Sequence, residues 1–164
     1  IANATRCSEA ANCLVKLDLE TQDVDELAPF PNDSAPGQGG RIRVSPDGSS
    51  LALIFRDRAR AHVMTVSTNG GKPREVFSDL SAAISALAWT RDGRGLLLSR
   101  RQDANRWQLI RVDVETGAVQ PTTTAFDRRL GNIDIAPDGS RIAMATRADI
   151  SETKVLDNVL SALK

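Results

Sequence analysis

Guanidinium groups recur in clusters along this chain: Arg56, Arg58 and Arg60 in "RDRARA", Arg100, Arg101 and Arg106 in "RRQDANR", Arg128 and Arg129 in "FDRR", and Arg147 further on. Such forks pair bidentately with carboxylates and phosphates. Gathered at one place, they would accept an anion: a carboxylate, a phosphate or an acidic peptide strand. Asp57, Asp79, Asp103, Asp127, Asp149 and Glu152, with the loop around Glu9, accompany them. The same segments therefore also read as solvated loops in which Arg and Asp pair with each other. Of the 21 basic residues, 17 are Arg and four are Lys, a bias that a GC-rich coding sequence also produces.

Other chemistry is sparse. His62 is the single histidine and there is no tyrosine. No G-x-S-x-G elbow occurs, so a nucleophile–base arrangement has nowhere to form except around His62, which reads as a structural or surface residue. "GQGG" (Gly37–Gly40) lacks the spacing and lysine of a phosphate loop and reads as a connector. Cys7 and Cys13 enclose five residues with no histidine nearby, which is neither a zinc nor a redox spacing. Two free thiols, or a local disulfide implying an oxidising compartment, both fit. The triplets "NAT" at Asn3 and "NDS" at Asn32 are treated as chance. No catalytic residue, metal site or cofactor is expected.

The elements that would position these residues follow from a repeat. "SPDGSSLAL" (Ser45–Leu53), "TRDGRGLLL" (Thr90–Leu98) and "APDGSRIAM" (Ala136–Met144) place Asp47, Asp92 and Asp138 at intervals of 45 and 46 residues. Pro presets φ, Asp bonds its own backbone and Gly accepts the left-handed position, so these aspartates read as turn residues rather than ligands or acid–base pairs. An alternating segment precedes each turn ("RIRV", "SALAW", "NIDI"), and an apolar run follows it. A third strand comes next ("HVMTVS", "WQLIRVD", "TKVLDNVL"), and in two copies a fourth ("REVFS", "GAVQPTT"). Asn69-Gly70 is a strong hairpin signal. Trp89 and Trp107, each inside an apolar strand, read as packing aromatics.

Four strands in about 45 residues make the blade of a β-propeller. The fold class expected is therefore all-β, with four-stranded antiparallel blades and about three and a half blades in the chain. Residues 1–22 align without gaps on a segment 95 residues later, which places 1–38 as strands two to four of a partial blade. Complete blades are expected at 39–79 and 80–127, and at 128–164 a last blade without its fourth strand. In up-and-down geometry the loops between second and third strands share one rim with the connectors between blades. All the arginines named above then fall on that rim. The incomplete outer blades and the start at Ile1 lead to the expectation of a fragment, its ring completed by upstream blades or by another copy.

Composition is that of a soluble globular domain, 41% hydrophobic and 26% charged. A formal net charge of zero supplies no global field for nucleic acid. No apolar run approaches the roughly 20 residues of a membrane span. Neither nucleic acid contact nor membrane insertion is expected of this segment.

"SPDGSSLALIFRDRARAHVMTVSTNGGKPREVF" resembles the WD-like repeat of the TolB-type β-propeller, with its Ser-Pro-Asp-Gly turn, apolar strand and late Gly-Gly. The resemblance covers essentially the whole chain. It is best at 39–79, weaker at 80–127 where Arg91 replaces the turn proline, and truncated at 128–164. The tail "TKVLDNVLSALK" is similar to the ending of propellers that close bacterial signalling chains. The resemblance implies a scaffold for a protein or peptide partner with no catalytic residues to carry over. It leaves three readings: a non-catalytic sensor or interaction propeller of a larger bacterial protein, with a periplasmic setting favoured; the gating propeller of a prolyl-oligopeptidase-like serine peptidase; or a self-assembling fragment.

Overall fold

The computed structural model describes residues 12–30, 42–57, 60–80, 83–104, 106–147 and 152–157. Their regular elements are all strands, and every pairing is antiparallel. Strands β1 (Asn12–Leu17) and β2 (Val24–Phe30) form a two-stranded sheet. Next come β3 (Ile42–Val44), β4 (Ser50–Arg56), β5 (Ala61–Ser67) and β6 (Arg74–Asp79), paired in that order as a four-stranded blade. A second such blade holds β7 (Ile84–Trp89), β8 (Gly95–Arg101), β9 (Trp107–Asp113) and β10 (Val119–Phe126). The last sheet has three strands, β11 (Arg129–Ile135), β12 (Arg141–Arg147) and β13 (Glu152–Asp157). The molecule is a partial β-propeller.

The recurring turns are built alike. The amide of the residue two before each aspartate bonds the carbonyl that opens the next strand: Ser45 to Ser50 at 2.7 Å, Thr90 to Gly95 at 2.8 Å, Ala136 to Arg141 at 2.9 Å. Gly48, Gly93 and Gly139 sit at φ +74°, +67° and +74°, where an L side chain is strained.

The sheets stack face to face through three cores. Leu14, Leu27 and Ala28 pack on Leu51, Leu53 and Val66. Ala52, Ile54 and Val63 meet Ile84, Leu87, Trp89, Leu96 and Leu98. Ala86, Ala88, Leu97 and Leu109 meet Leu130, Ile133, Ile142 and Met144. The second blade therefore packs on a neighbour through both faces. Strand β7 is buried at every position, so the alternation in "SALAW" is one of small and large residues, whereas in β11 it separates a covered face from an exposed one.

Polar ties cross each seam. Trp89 Nε1 donates to the Arg43 carbonyl at 2.9 Å. Ser85, the extra residue where the β7–β8 register shifts, donates to the Leu130 carbonyl at 2.6 Å. On the outside, Gly71 N donates to Leu27 O at 3.0 Å, and Arg74 donates to the carbonyls of Val114 and Glu115 at 2.5 and 3.3 Å. At the hairpin glycines Gly70 and Gly117 a Cβ would meet Leu27 O at 3.3 Å and Val76 O at 3.1 Å. The same close approach thus recurs at successive seams.

Candidate functional site

One end of the stacked blades collects the ends of β4, β6, β8 and β10 and the starts of β5, β7, β9 and β11. The register shows it: Arg56 faces Ala61, Ala61 faces Asp79, Ile84 faces Arg100, Arg101 faces Trp107, Trp107 faces Phe126, and Arg129 faces Arg147. The aspartate turns stand at the opposite end.

The arginines at this end have different surroundings. Arg56, half-buried at the last position of β4, donates from Nη2 to the Ile84 carbonyl of the next blade. Burial, then the positive charge of Arg129, lowers its pKa. Arg60 is exposed, and its amide donates to Asp57 Oδ1 at 2.6 Å. Arg100 Nε donates to Asp79 Oδ2 at 2.5 Å, and that carboxylate is 5% exposed. Arg101 is exposed, its amide bonded to Ala83 O at 3.0 Å. Arg106 is exposed and its carbonyl closes the β8–β9 loop on Gln102 N at 2.8 Å. Arg128 Nε stands 3.9 Å from Asp127 Oδ1. Arg129 lies with its guanidinium carbon 6.0 Å from the Trp107 ring centroid. Arg147 ends β12 opposite Arg129. Arg58 and Cys7 lie outside the described residues, while Cys13, in β1, is disulfide-bonded.

Two features differ from the reading by residue type. Arg129 belongs to strand β11 rather than to a loop, because Leu130 must reach the buried Ser85. The register shift between Leu130 and Asn132 then accommodates Gly131. Trp107 is half-buried and underlies Arg129, whereas Trp89 is in the core between blades.

Sequence reasoning missed the environment of His62. Its Nδ1 is 2.5 Å from Glu75 Oε2, its Nε2 is 2.9 Å from Asp57 Oδ2, and its ring stacks on Phe55 with centroids 4.6 Å apart. Burial alone would lower the imidazole pKa; the hydrogen bonds to Glu75 and Asp57 outweigh it and raise it. A carboxylate on each nitrogen uses both ring positions, so the arrangement holds a cation and offers no free base.

The turn aspartates are satisfied locally. Asp47 accepts from Ser45 Oγ at 2.5 Å, Ser49 N at 3.1 Å and Ser49 Oγ at 2.8 Å, which holds its pKa at about 2. Asp92 accepts from Thr90 Oγ1 at 2.6 Å, and Asp138 from Ser140 N at 2.9 Å. Among the described residues no group of three His, Cys, Asp or Glu side chains could hold a metal. Among the described residues no helix is long and apolar enough to cross a membrane. The turn end carries an open depression of about 410 Å³ lined by Pro46, Trp89, Arg91, Ile135, Ala136 and Pro137.

Solved structures share this architecture. An Agrobacterium tumefaciens protein described as TolB superposes with a TM-score of 0.64 at 19% identity, over 92% of this chain and 52% of that one. The β-propeller domain of the Trilobed protease from Pyrococcus furiosus gives 0.58 at 15%, covering 90% and 47%. A puromycin-hydrolyzing peptidase from Mycobacterium tuberculosis gives 0.59 at 20%, covering 84% and 22%. These likenesses show the fold, and the chain spans about half of the first two structures or less. No curated protein shows significant sequence similarity to it. Residues 17–159 match the family described as the lipoprotein LpqB β-propeller domain. With four-stranded blades, inter-blade cores and this match over most of its length, the chain belongs to the lipoprotein LpqB β-propeller domain family.

Proposed function

We propose that this chain is part of a non-catalytic, extracytoplasmic propeller that presents its arginine-bearing end to a protein or peptide partner. The observation that carries the reading is the gathering of the loops between β4 and β5, β8 and β9, and β10 and β11 at one end, with exposed Arg60, Arg101, Arg106, Arg128 and Arg129. A rigid stack of blades holds such loops in place, and their side chains set specificity. The disulfide at Cys13 supports an oxidising compartment. Blades from the same polypeptide complete the ring on this reading; assembly from separate copies is the alternative.

The test is site-specific photo-cross-linking in cells. A cross-linker at position 101 or 128 is expected to trap a discrete partner, and one at Arg94 on the opposite end is not. Adducts from position 94 alone, or from none of the three, would refute it.

A second reading, the gating propeller of a serine peptidase, draws on the structural likeness to the Trilobed protease propeller and the puromycin-hydrolyzing peptidase. It is favoured if the intact protein hydrolyses a chromogenic aminoacyl amide and an active-site serine reagent abolishes that activity.

A further inference from the structure

The second aspartate turn departs from the repeat at one position. Where the first and third turns carry Pro46 and Pro137, it carries Arg91. These three residues follow the ends of β3, β7 and β11, the first strands of three successive sheets. Together with Trp89, Ile135 and Ala136 they line the depression of about 410 Å³ at the turn end. That volume lies within the roughly 300–1,000 Å³ of small-ligand sites.

The lining is apolar and bears a single cationic head. Trp89 is 7% exposed, and its one polar atom is already used, because Nε1 donates to the Arg43 carbonyl at 2.9 Å. Pro46 and Pro137 have no N–H, and the Ala136 amide is committed to Arg141 O at 2.9 Å. Arg91 is exposed, and its Nη1 donates to the Asp138 carbonyl at 3.2 Å, which ties the guanidinium across to the third turn. Its Nε and Nη2 make no hydrogen bond with the described residues. The fork is therefore anchored at one corner and keeps donors for a ligand.

These features select what can bind. An extended peptide would bring amides and carbonyls into a cup with few main-chain partners, and leaving them unpaired is unfavourable. A polyanion would meet the carboxylates of Asp47, Asp92 and Asp138, one in each turn. A monoanion with an apolar body avoids both penalties. We propose that this depression binds a small apolar carboxylic acid, its branched or aromatic body against Trp89, Pro46, Pro137 and Ile135 and its carboxylate on Arg91. A charge-assisted bond to the guanidinium fixes the head, and the apolar wall removes the body from water. The proposal is independent of the partner surface at the opposite end of the blades.

The test uses Trp89 as its own reporter. The chain has two tryptophans, and Trp107 lies at the other end, so Trp107→Phe leaves Trp89 as the only indole. Fluorescence of the full chain in that background is titrated with 4-methylpentanoate, with 4-methylpentanamide, which keeps the body and loses the charge, and with acetate, which keeps the charge and loses the body. Saturation-transfer NMR on the unsubstituted protein makes the same comparison without relying on the variant. The acid is expected to bind saturably, and the amide and acetate at least about tenfold more weakly. Arg91→Gln should weaken binding of the acid at least about tenfold, and Arg91→Lys should recover only part of it, because the fork is lost. Arg94→Gln, in the same turn but outside the cup, should leave affinity unchanged.

The proposal fails if 4-methylpentanoate does not bind, if the amide or acetate binds as tightly, or if Arg91→Gln binds like the wild type. Displacement of the acid by an equal concentration of inorganic phosphate would reduce the site to a plain anion site and also overturn it. Tighter binding of a blocked peptide ending in Gly-Gly-Leu than of the free acid would assign the cup to peptides instead. None of these outcomes bears on the cross-linking test, which reads the other end of the molecule.

Discussion

Nε of Arg100, on β8, donates to the Asp79 carboxylate at the end of β6, 2.5 Å away across the seam between the two complete blades. The acid is 5% exposed and the arginine 46%. The pair therefore ties adjacent blades at the arginine-bearing end. Removing the cation takes a charge-assisted hydrogen bond from a buried carboxylate, whereas neutralising the acid leaves a cation that water can reach. Arg100→Ala should destabilise the fold by about 1–3 kcal/mol and Asp79→Asn by less. Urea titrations of both variants would decide it, and a larger loss for Asp79→Asn would contradict the assignment.

At the hairpin between β9 and β10, Gly117 has φ +72° and a Cβ there would lie 3.1 Å from the Val76 carbonyl. Gly48, at φ +74°, has nothing within 4 Å. Alanine at either site meets backbone strain of about 1–2 kcal/mol, but only at Gly117 must the neighbouring blade also give way. Thermal unfolding should show a clearly lower Tm for Gly117→Ala than for Gly48→Ala. Equal shifts would mean that the seam is soft.

The third aspartate turn lacks a hydroxyl that the first two use. Ser45 Oγ and Thr90 Oγ1 donate to Asp47 and Asp92 at 2.5 and 2.6 Å, and accept from Ser50 N and Gly95 N at 2.9 and 2.8 Å. Position 136 is alanine. Ala136→Ser supplies the missing donor and acceptor and should stabilise the protein by about 0.5–1.5 kcal/mol, read as an increased urea midpoint with an unchanged slope.

His62 predicts a pH dependence of stability. Its pKa is raised in the folded state by Glu75 and Asp57 against the opposing effect of burial, so the folded state binds the proton more tightly than the unfolded chain. That contribution is fully present below about 6.5, the ordinary imidazole value, and is lost as pH rises through the raised value. His62→Gln should flatten the change in Tm across this window. Parallel Tm–pH curves for the two proteins would rule the linkage out.

The strand order and turns were legible because they rest on local chemistry. Pro-Asp-Gly and Asn-Gly force reversals, and the apolar runs between them admit few other arrangements. Gathering the arginines at one end needed only up-and-down connectivity. What the sequence could not disclose depends on how one sheet lies against the next. The Asp79–Arg100 pair spans 21 residues, and nothing in either segment names the other. The two carboxylates on His62 come from a loop and from a diagonal position on β6, at a register shift between Val63 and Met64. Arg129 read as a loop residue because the pull of Ser85 on Leu130 has no local signature. Trp107 and Trp89 both sit in apolar strands, and only the packing of one sheet on the next buries Trp89 and leaves Trp107 half-buried under Arg129.

The seams also carry a geometric instruction. Near the axis, the blades that meet at β7 and β11 approach over Ala86 and Ala88; at the periphery, Gly70 and Gly117 let each hairpin settle against the carbonyl of the preceding blade. Like the stones of an arch, each sheet is tapered by the side chains at its two edges, and the taper sets how far every blade turns from the last. The sizes of a few seam residues thus bear on the angle between successive blades. Enlarging Ala86 or Gly117 would press on that angle before it touched any loop at the rim.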